Sequence, residues 1–297
     1  MPDFYYQIQD LFRNTYTGRI VTNFFQLMII VGPFFLVSIF LNVIIRSFLI
    51  KKQIKFKPKN EPAVLLIAGV LGLVSPFPTY IAVPMGMSFV AAGLPAGAIV
   101  AFMISSPLMN PGIFILTLSQ LGWEIALSRV ISAYLLAIAA GFLSGLIWKQ
   151  LRPRQPIDSE KVFPSKRPVW MEFKRSLLFL GKYFGIALFL SAVVKALVPA
   201  EMIGRLLGGH ANMSLVIAVA MGVPFYSCGG AAIPLVQVLS EMGMNKGAVL
   251  AFFIAGPSTK LETIYVYKSM LGVKFLLLYL GFMFLGATLS GFILLNI

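Results

Sequence analysis

Charge and hydropathy fall into long alternating blocks along the chain. Residues 24–45 run for 22 positions without a charged side chain. That is enough to cross a hydrocarbon layer of about 30 Å at about 1.5 Å per residue. Three further stretches, 125–148, 176–198 and 275–297, are apolar except for Arg129, Lys182 and Lys195, and read as full spans. Dense basic blocks separate them: KKQIKFKPK at 51–59, and residues 149–175. The pattern predicts an all-α, polytopic integral membrane protein.

Between the first two spans lie 62 residues, 62–123, with no Asp, Glu, Lys or Arg. Prolines interrupt this region at Ser75-Pro76-Phe77-Pro78, at Pro84, at Gly93-Leu94-Pro95 and at Pro107-Leu108-Met109-Asn110-Pro111. Proline removes a backbone donor and clashes with the preceding turn, so these are helix breaks. Broken backbone at membrane depth persists only where protein or a watery cavity satisfies its polar groups.

The chain also repeats itself. At an offset of 150, residues 72–143 align without a gap onto 222–293, with 18 of 72 positions identical. The matches fall on structural residues: Pro84/Pro234, Gly93/Gly243, Gly97/Gly247, Pro107/Pro257, Gly122/Gly272 and Gly141/Gly291. We read residues 1–148 as a first transmembrane repeat, 149–173 as a basic linker, and 174–297 as a second repeat. Loops rich in Lys and Arg lie on the cytoplasmic side. That rule puts 51–59 and the linker inside and both termini outside, so the repeats are inverted. Inverted repeats with discontinuous helices are the signature of secondary transporters, whose site lies near the midplane.

One arrangement makes 62–92 a crossing broken at Ser75–Pro78 and 95–121 a re-entrant hairpin with its tip at Ser105–Pro111. The second half then has its break at Pro224–Gly230 and its tip at Gly256–Glu262. It places Lys246, Lys268 and Lys274 inside, with Gly93–Ala96 and Gly122 outside. The alternative makes 62–92 the hairpin and 95–121 the crossing.

Composition agrees with a membrane protein: 59% of residues are hydrophobic and 11% charged, against roughly a quarter charged in soluble domains. A single cysteine, Cys228, excludes a disulfide scaffold. The net charge of +14 points to cytoplasmic loops and membrane lipid rather than nucleic acid, because 13 of the 24 basic residues lie in 51–59 and 149–175. The N-terminus MPDFYYQIQDLFRN lacks the progression of a cleaved signal, so the first span is expected to be retained.

The breaks supply the candidate substrate-binding residues. They are Ser75, Pro76 and Thr79 in the first repeat, with Ser105, Ser106 and Asn110 at the second interruption. The second repeat offers Tyr226, Ser227, Cys228, Ser258 and Thr259. Half-helix ends expose amides and carbonyls that hold ions or polar groups. Lys260 and Glu262 are a charged pair deep in an apolar segment, expected to couple transport to an ion, with protons taken up by Glu262. Arg129 is expected to snorkel or to pair with Glu124. No enzyme signature, metal-ligand set or cofactor motif is present: His210 is the lone histidine, and no phosphate-binding loop or nucleophile elbow occurs.

The stretches GAIVAFMISSPLMNP (97–111), VPFYSCGGAAIPLVQ (223–237) and GAVLAFFIAGP (247–257) resemble the predicted permeases that include ArsP-type organoarsenical efflux proteins and YraQ-like permeases. The resemblance covers both halves but not the linker. It implies a multi-pass inner-membrane permease. Characterised ArsP-type members export trivalent organoarsenicals such as methylarsenite. Many members carry cysteine at the first break, where this chain reads Pro76-Phe77-Pro78-Thr79; a site of two or three thiolates within one chain is therefore impossible. The expected function is secondary active export of a small solute, set against a passive channel or a non-transporting membrane subunit of a larger complex.

Overall fold

A computed structural model describes residues 15–51, 61–75, 77, 82–83, 86, 94–147, 168–209, 212–225 and 232–297. Among them the regular structure is entirely helical. In the first half these are α1 (Tyr16–Lys51), α2 (Glu61–Val74), α3 (Ala96–Leu108) and α4 (Pro111–Ile147). The second half has α5 (Val169–Leu197), α6 (Ala200–Leu207), α7 (Asn212–Phe225), α8 (Ile233–Glu241), α9 (Lys246–Thr259), α10 (Leu261–Met270) and α11 (Val273–Leu295). Of the described helices, Tyr16–Val37 within α1, together with α4 and α11, are long and apolar enough to cross a membrane. The outer surface is apolar, with Phe25, Ile29, Leu135, Leu146, Leu277 and Leu289 exposed as side chains facing lipid would be.

α4 bends sharply at Gly122, whose φ of 82° and ψ of 177° belong to a region essentially reserved for glycine. Its repeat mate Gly272 adopts φ 94° and ψ 172° immediately before α11. The same corner is therefore built twice, at the offset of 150.

Side-chain contacts fix the direction of each helix. Gly97 meets Gly141, while the Leu108 carbonyl accepts from Arg129, so α3 runs antiparallel to the long arm of α4 (residues 123–147). Gly247 meets Gly291 and Tyr267 packs on Tyr279, so α9 and α10 run antiparallel to α11. Lys246 pairs with Glu124, and Phe253 lies beside Arg129, so α9 runs parallel to that long arm. It follows that α3 and α9 run in opposite directions, as inverted repeats require. One end of the bundle gathers Lys51, Leu65, Gly97, Gly141, Val169 and Gly272; we call it the Lys51 end. The other, the Lys246 end, gathers Gly122, Glu124, Lys195, Glu241, Asn245 and Gly291.

These contacts overturn the first arrangement and select the alternative. Leu65 lies against Gly97 and Gly141, and Gly72 against Ser105, so α2 enters from the Lys51 end and stops near mid-depth. Gly86 then packs on Ile99 and Met103, so the chain has turned back toward the end it came from. The described residues of segment 62–92 thus follow the path of the re-entrant hairpin. Its mate is seen in α7 and α8: Ser214 binds Asn245, Gly222 packs on Gly256, and Glu241 returns to pair with Lys195. Residues 95–121 instead form a crossing, from Gly97 at the Lys51 end to Gly122 at the Lys246 end, interrupted at Met109 and Asn110. Residues 245–271 cross in the opposite sense, interrupted at Lys260.

Two charge placements change with this. Leu94–Ala96 and Gly122 lie at opposite ends, not together. Lys246 lies opposite Lys268 and Lys274 and is paired with Glu124. The positive-inside bias is a statistical excess over whole loops, so a single lysine such as Lys246 does not fix the side on which it lies.

α6 departs from α5 at a bend of 105°. Its Ile203 and Leu207 are buried while Glu201 and Arg205 face outward, the habit of a helix lying in the membrane interface.

Candidate functional site at the helix breaks

The interruptions of both repeats converge at mid-depth. Proline is the local cause in each crossing helix. Pro107 has no amide hydrogen, so the Met103 carbonyl loses its usual donor four residues on; Pro257 does the same to Phe253. In the first repeat the Tyr267 hydroxyl, from the other repeat, donates to the Met103 carbonyl at 3.2 Å.

The helix restarts are capped differently. Asn110 accepts the Ile113 amide at 3.0 Å through Oδ1, a strong N-cap for the short arm of α4. Lys260 holds the matching position before α10 and provides no side-chain cap. There Thr263 turns back instead, its hydroxyl donating to the Pro257 carbonyl at 2.9 Å.

The candidate hydroxyls divide into two kinds. Ser105 donates to the Ala101 carbonyl at 2.8 Å, Ser258 to Ile254 at 3.0 Å and Thr259 to Ala255 at 3.1 Å. Each spends its proton on the preceding turn of its own helix. Ser106 reaches out, donating to the Phe77 carbonyl at 2.8 Å and to Ser75 at 3.4 Å, which fastens the hairpin end to the crossing. Ser75 is the exception. It is 1% exposed and its hydroxyl has no hydrogen-bond partner, a state costing about 1–3 kcal/mol unless something serves it.

Pro76, Thr79, Tyr226, Ser227 and Cys228 lie outside the described residues. Lys260 is half-buried at the second interruption; Glu262 lies in the first turn of α10, and its side chain is outside the described residues.

Arg129 does not snorkel, and it does not pair with Glu124. It is fully buried, the largest such side chain among the described residues. Nη1 donates to the Thr117 hydroxyl at 3.1 Å and Nη2 to the Leu108 carbonyl at 3.4 Å, and the guanidinium stands 4.2 Å from the centroid of the Phe253 ring. Glu124 is held by Lys246 instead.

The offset of 150 explains why this cluster matters. Arg129, Thr117 and Leu108 correspond to Tyr279, Tyr267 and Ser258. Tyr279 packs on Tyr267 at 4.5 Å, so the Arg129–Thr117 pair of the first repeat has a counterpart in the second. Sequence reasoning passed over Tyr267, Tyr279, Thr117 and Phe253. The signal was present: polar or aromatic residues inside apolar segments recur at matched positions of the two halves.

The family model described as "Predicted permease", of the ArsP type, matches residues 17–295. The chain belongs to this family. It is a multi-pass membrane permease. A UPF0718 protein of Methanocaldococcus jannaschii is 21% identical, covering 81% of this chain and 84% of its own. A Streptococcus mutans protein described as a putative two-component membrane permease complex subunit is 22% identical over 87% of this chain and 89% of its own. A UPF0718 protein of Bacillus subtilis is 23% identical over 86% and 90% respectively. No solved structure matches the permease.

Proposed function

We propose that this permease is a secondary active exporter of a small solute, bound at mid-depth between its two inverted repeats. Residues 1–148 and 174–297 form the repeats, and 149–173 form a basic linker on the cytoplasmic face of the inner membrane. The observation that carries this reading is the meeting of interrupted helices from both repeats inside the protein. Each interruption costs backbone hydrogen bonds, which a purely structural bundle has no reason to forgo. The unserved Ser75 hydroxyl supports a solute contact there, beside Ser106 and Asn110 in the first repeat and Ser258 and Thr259 in the second. Charge supports the orientation: the Lys51 end carries Lys51, Lys174, Arg175, Lys268 and Lys274 against the acids Glu61 and Glu172, whereas at the Lys246 end acids and bases nearly balance.

Trivalent organoarsenicals such as methylarsenite are the solute class to test first, on the strength of the ArsP resemblance. Cys228 offers one thiol, which suits transient contact better than tight coordination. The reading is tested in an arsenic-sensitive bacterium expressing the chain and challenged with methylarsenite, roxarsone and arsenite. Raised resistance with lowered cellular arsenic supports it; unchanged resistance to all three rejects this cargo. Proton coupling through Glu262 is tested by Glu262→Gln, which abolishes pH-driven flux in an exporter and leaves flux intact in a channel.

The description of the Streptococcus mutans relative favours one further reading, that the permease works with a second membrane subunit. Co-purification of a partner from native membranes at fixed stoichiometry supports this, and a lone chain that transports in liposomes refutes it.

A further inference from the structure

Two contacts join the repeats across the middle of the bundle, and they fall at related positions of the two halves. In one, Arg129 of α4 lies over Phe253 of α9. In the other, Tyr267 of α10 donates to the Met103 carbonyl of α3. At the offset of 150, Met103 corresponds to Phe253 and Thr117, which Arg129 binds, corresponds to Tyr267. Each repeat thus holds the proline-broken helix of the other, the first through Arg129 just beyond its glycine corner and the second through Tyr267 just before its own.

Their depths differ. Arg129 stands seven residues beyond Gly122 and Phe253 seven beyond Lys246, both roughly 10 Å in from the Lys246 end at about 1.5 Å per residue. Met103 stands seven residues beyond Ala96 and Tyr267 five before Gly272, roughly 8–10 Å in from the Lys51 end by the same rise. In a layer of about 30 Å, about 10 Å separates them. Ser105 and Ser106 lie on α3 between Met103 and Leu108, hence between the two contacts, and both are fully buried.

We propose that these contacts are the two gates of the permease, Arg129–Phe253 toward the Lys246 end and Tyr267–Met103 toward the Lys51 end. This rests on the transport reading above. In the conformation described here both gates are closed. Opening one exposes the breaks to one face while its counterpart shields them from the other. The chemistry of the gates differs. The Arg129 gate is a cation on a ring, kept strong by exclusion of water. The Tyr267 gate is a single hydrogen bond to a carbonyl left open by Pro107, so parting it frees that carbonyl for a passing solute.

The test is labelling by a membrane-impermeant maleimide in vesicles of both orientations. The full chain carries Cys228→Ser and the reporter Ser106→Cys, which is expected to label slowly from either face. Arg129→Gln or Phe253→Ala raises labelling from the Lys246 face alone. Tyr267→Phe raises it from the Lys51 face alone, as does Pro107→Ala, which returns an amide donor to Met103. The expected rise is about fivefold or more, the shift given by losing roughly one hydrogen bond. Two variants for each gate keep the test decisive when one fails to reach the membrane. Labelling raised from both faces alike, or unchanged by every variant that folds, overturns the gates. The readout needs no transported solute. Failure to transport by the unaltered permease therefore rejects the function without touching the gates, and face-blind labelling rejects the gates without touching the function.

Discussion

Gly97 and Gly141 touch backbone to backbone: a methyl on Gly97 would come within 2.6 Å of the Gly141 carbonyl oxygen, and one on Gly141 within 2.5 Å of its counterpart. Helices in a membrane gain little from burying apolar surface against each other, so close backbone approach is what holds α3 to α4. Gly247 and Gly291 repeat the contact in the other half. Gly141→Ala and Gly291→Ala are each expected to cost about 1–3 kcal/mol through forced separation. Thermal unfolding in detergent measures it. Gly185→Ala, with no atom near the added methyl, serves as the control and leaves the midpoint unchanged or slightly raised.

The Glu124–Lys246 pair decides which segment crosses the membrane. Glu124→Cys with Lys246→Cys, in a Cys228→Ser background, is expected to form a disulfide readily under mild oxidant. An uncrosslinked product would restore the hairpin reading of 95–121. The pair itself is exposed, with side chains 55% and 61% accessible, so Glu124→Gln should cost less than about 1 kcal/mol. It reports the topology without stabilising it much.

Ser75→Ala tests whether the break serves a solute. Removing a buried hydroxyl that nothing satisfies is expected to raise stability by about 1–2 kcal/mol. Transport is expected to fall in the same variant. A rise in midpoint with undiminished flux would make Ser75 an unused remnant of the break.

Asn110→Ala removes the cap on the restarting helix and is expected to cost about 1 kcal/mol. Because Asn110 stands at the interruption of a crossing, the loss should also lower transport more than a remote cap does. Paired measurement of unfolding midpoint and flux, against Asn245→Ala at the start of α9, separates the two effects.

Spans, breaks and duplication were legible from sequence because each has a local cause. Charge-free runs of 20 residues, prolines, and glycines at matched positions need no tertiary context. The hairpin and the crossing were not distinguishable that way, since both are apolar segments of similar length broken near the middle. What separates them is which end of α4 each helix touches, and Gly97 against Gly141 is a contact between residues in different helices. The role of Arg129 is hidden from the sequence for a related reason. One and a half turns from Glu124 on the same helix, it looks like a snorkelling cation. Its real neighbours, Leu108, Thr117 and Phe253, become visible only when the crossing folds back and the second repeat docks. The overlay of the halves held the missing clue, because Arg129 falls on Tyr279 and Thr117 on Tyr267.

The corner at Gly122 has a mechanical consequence. Beyond it runs a helical arm of 25 residues, 123–147, roughly 37 Å long at about 1.5 Å per residue. Rotation of only about 10° at that corner swings the far end by roughly 6 Å, slightly more than the 5.4 Å pitch of a helix. Gly272 gives the opposite face an arm of similar length. Two small hinges, each confined to one residue, thus have the leverage to shift whole spans, at the expense of contacts such as Gly97–Gly141 and Gly247–Gly291 that hold each arm to its neighbour.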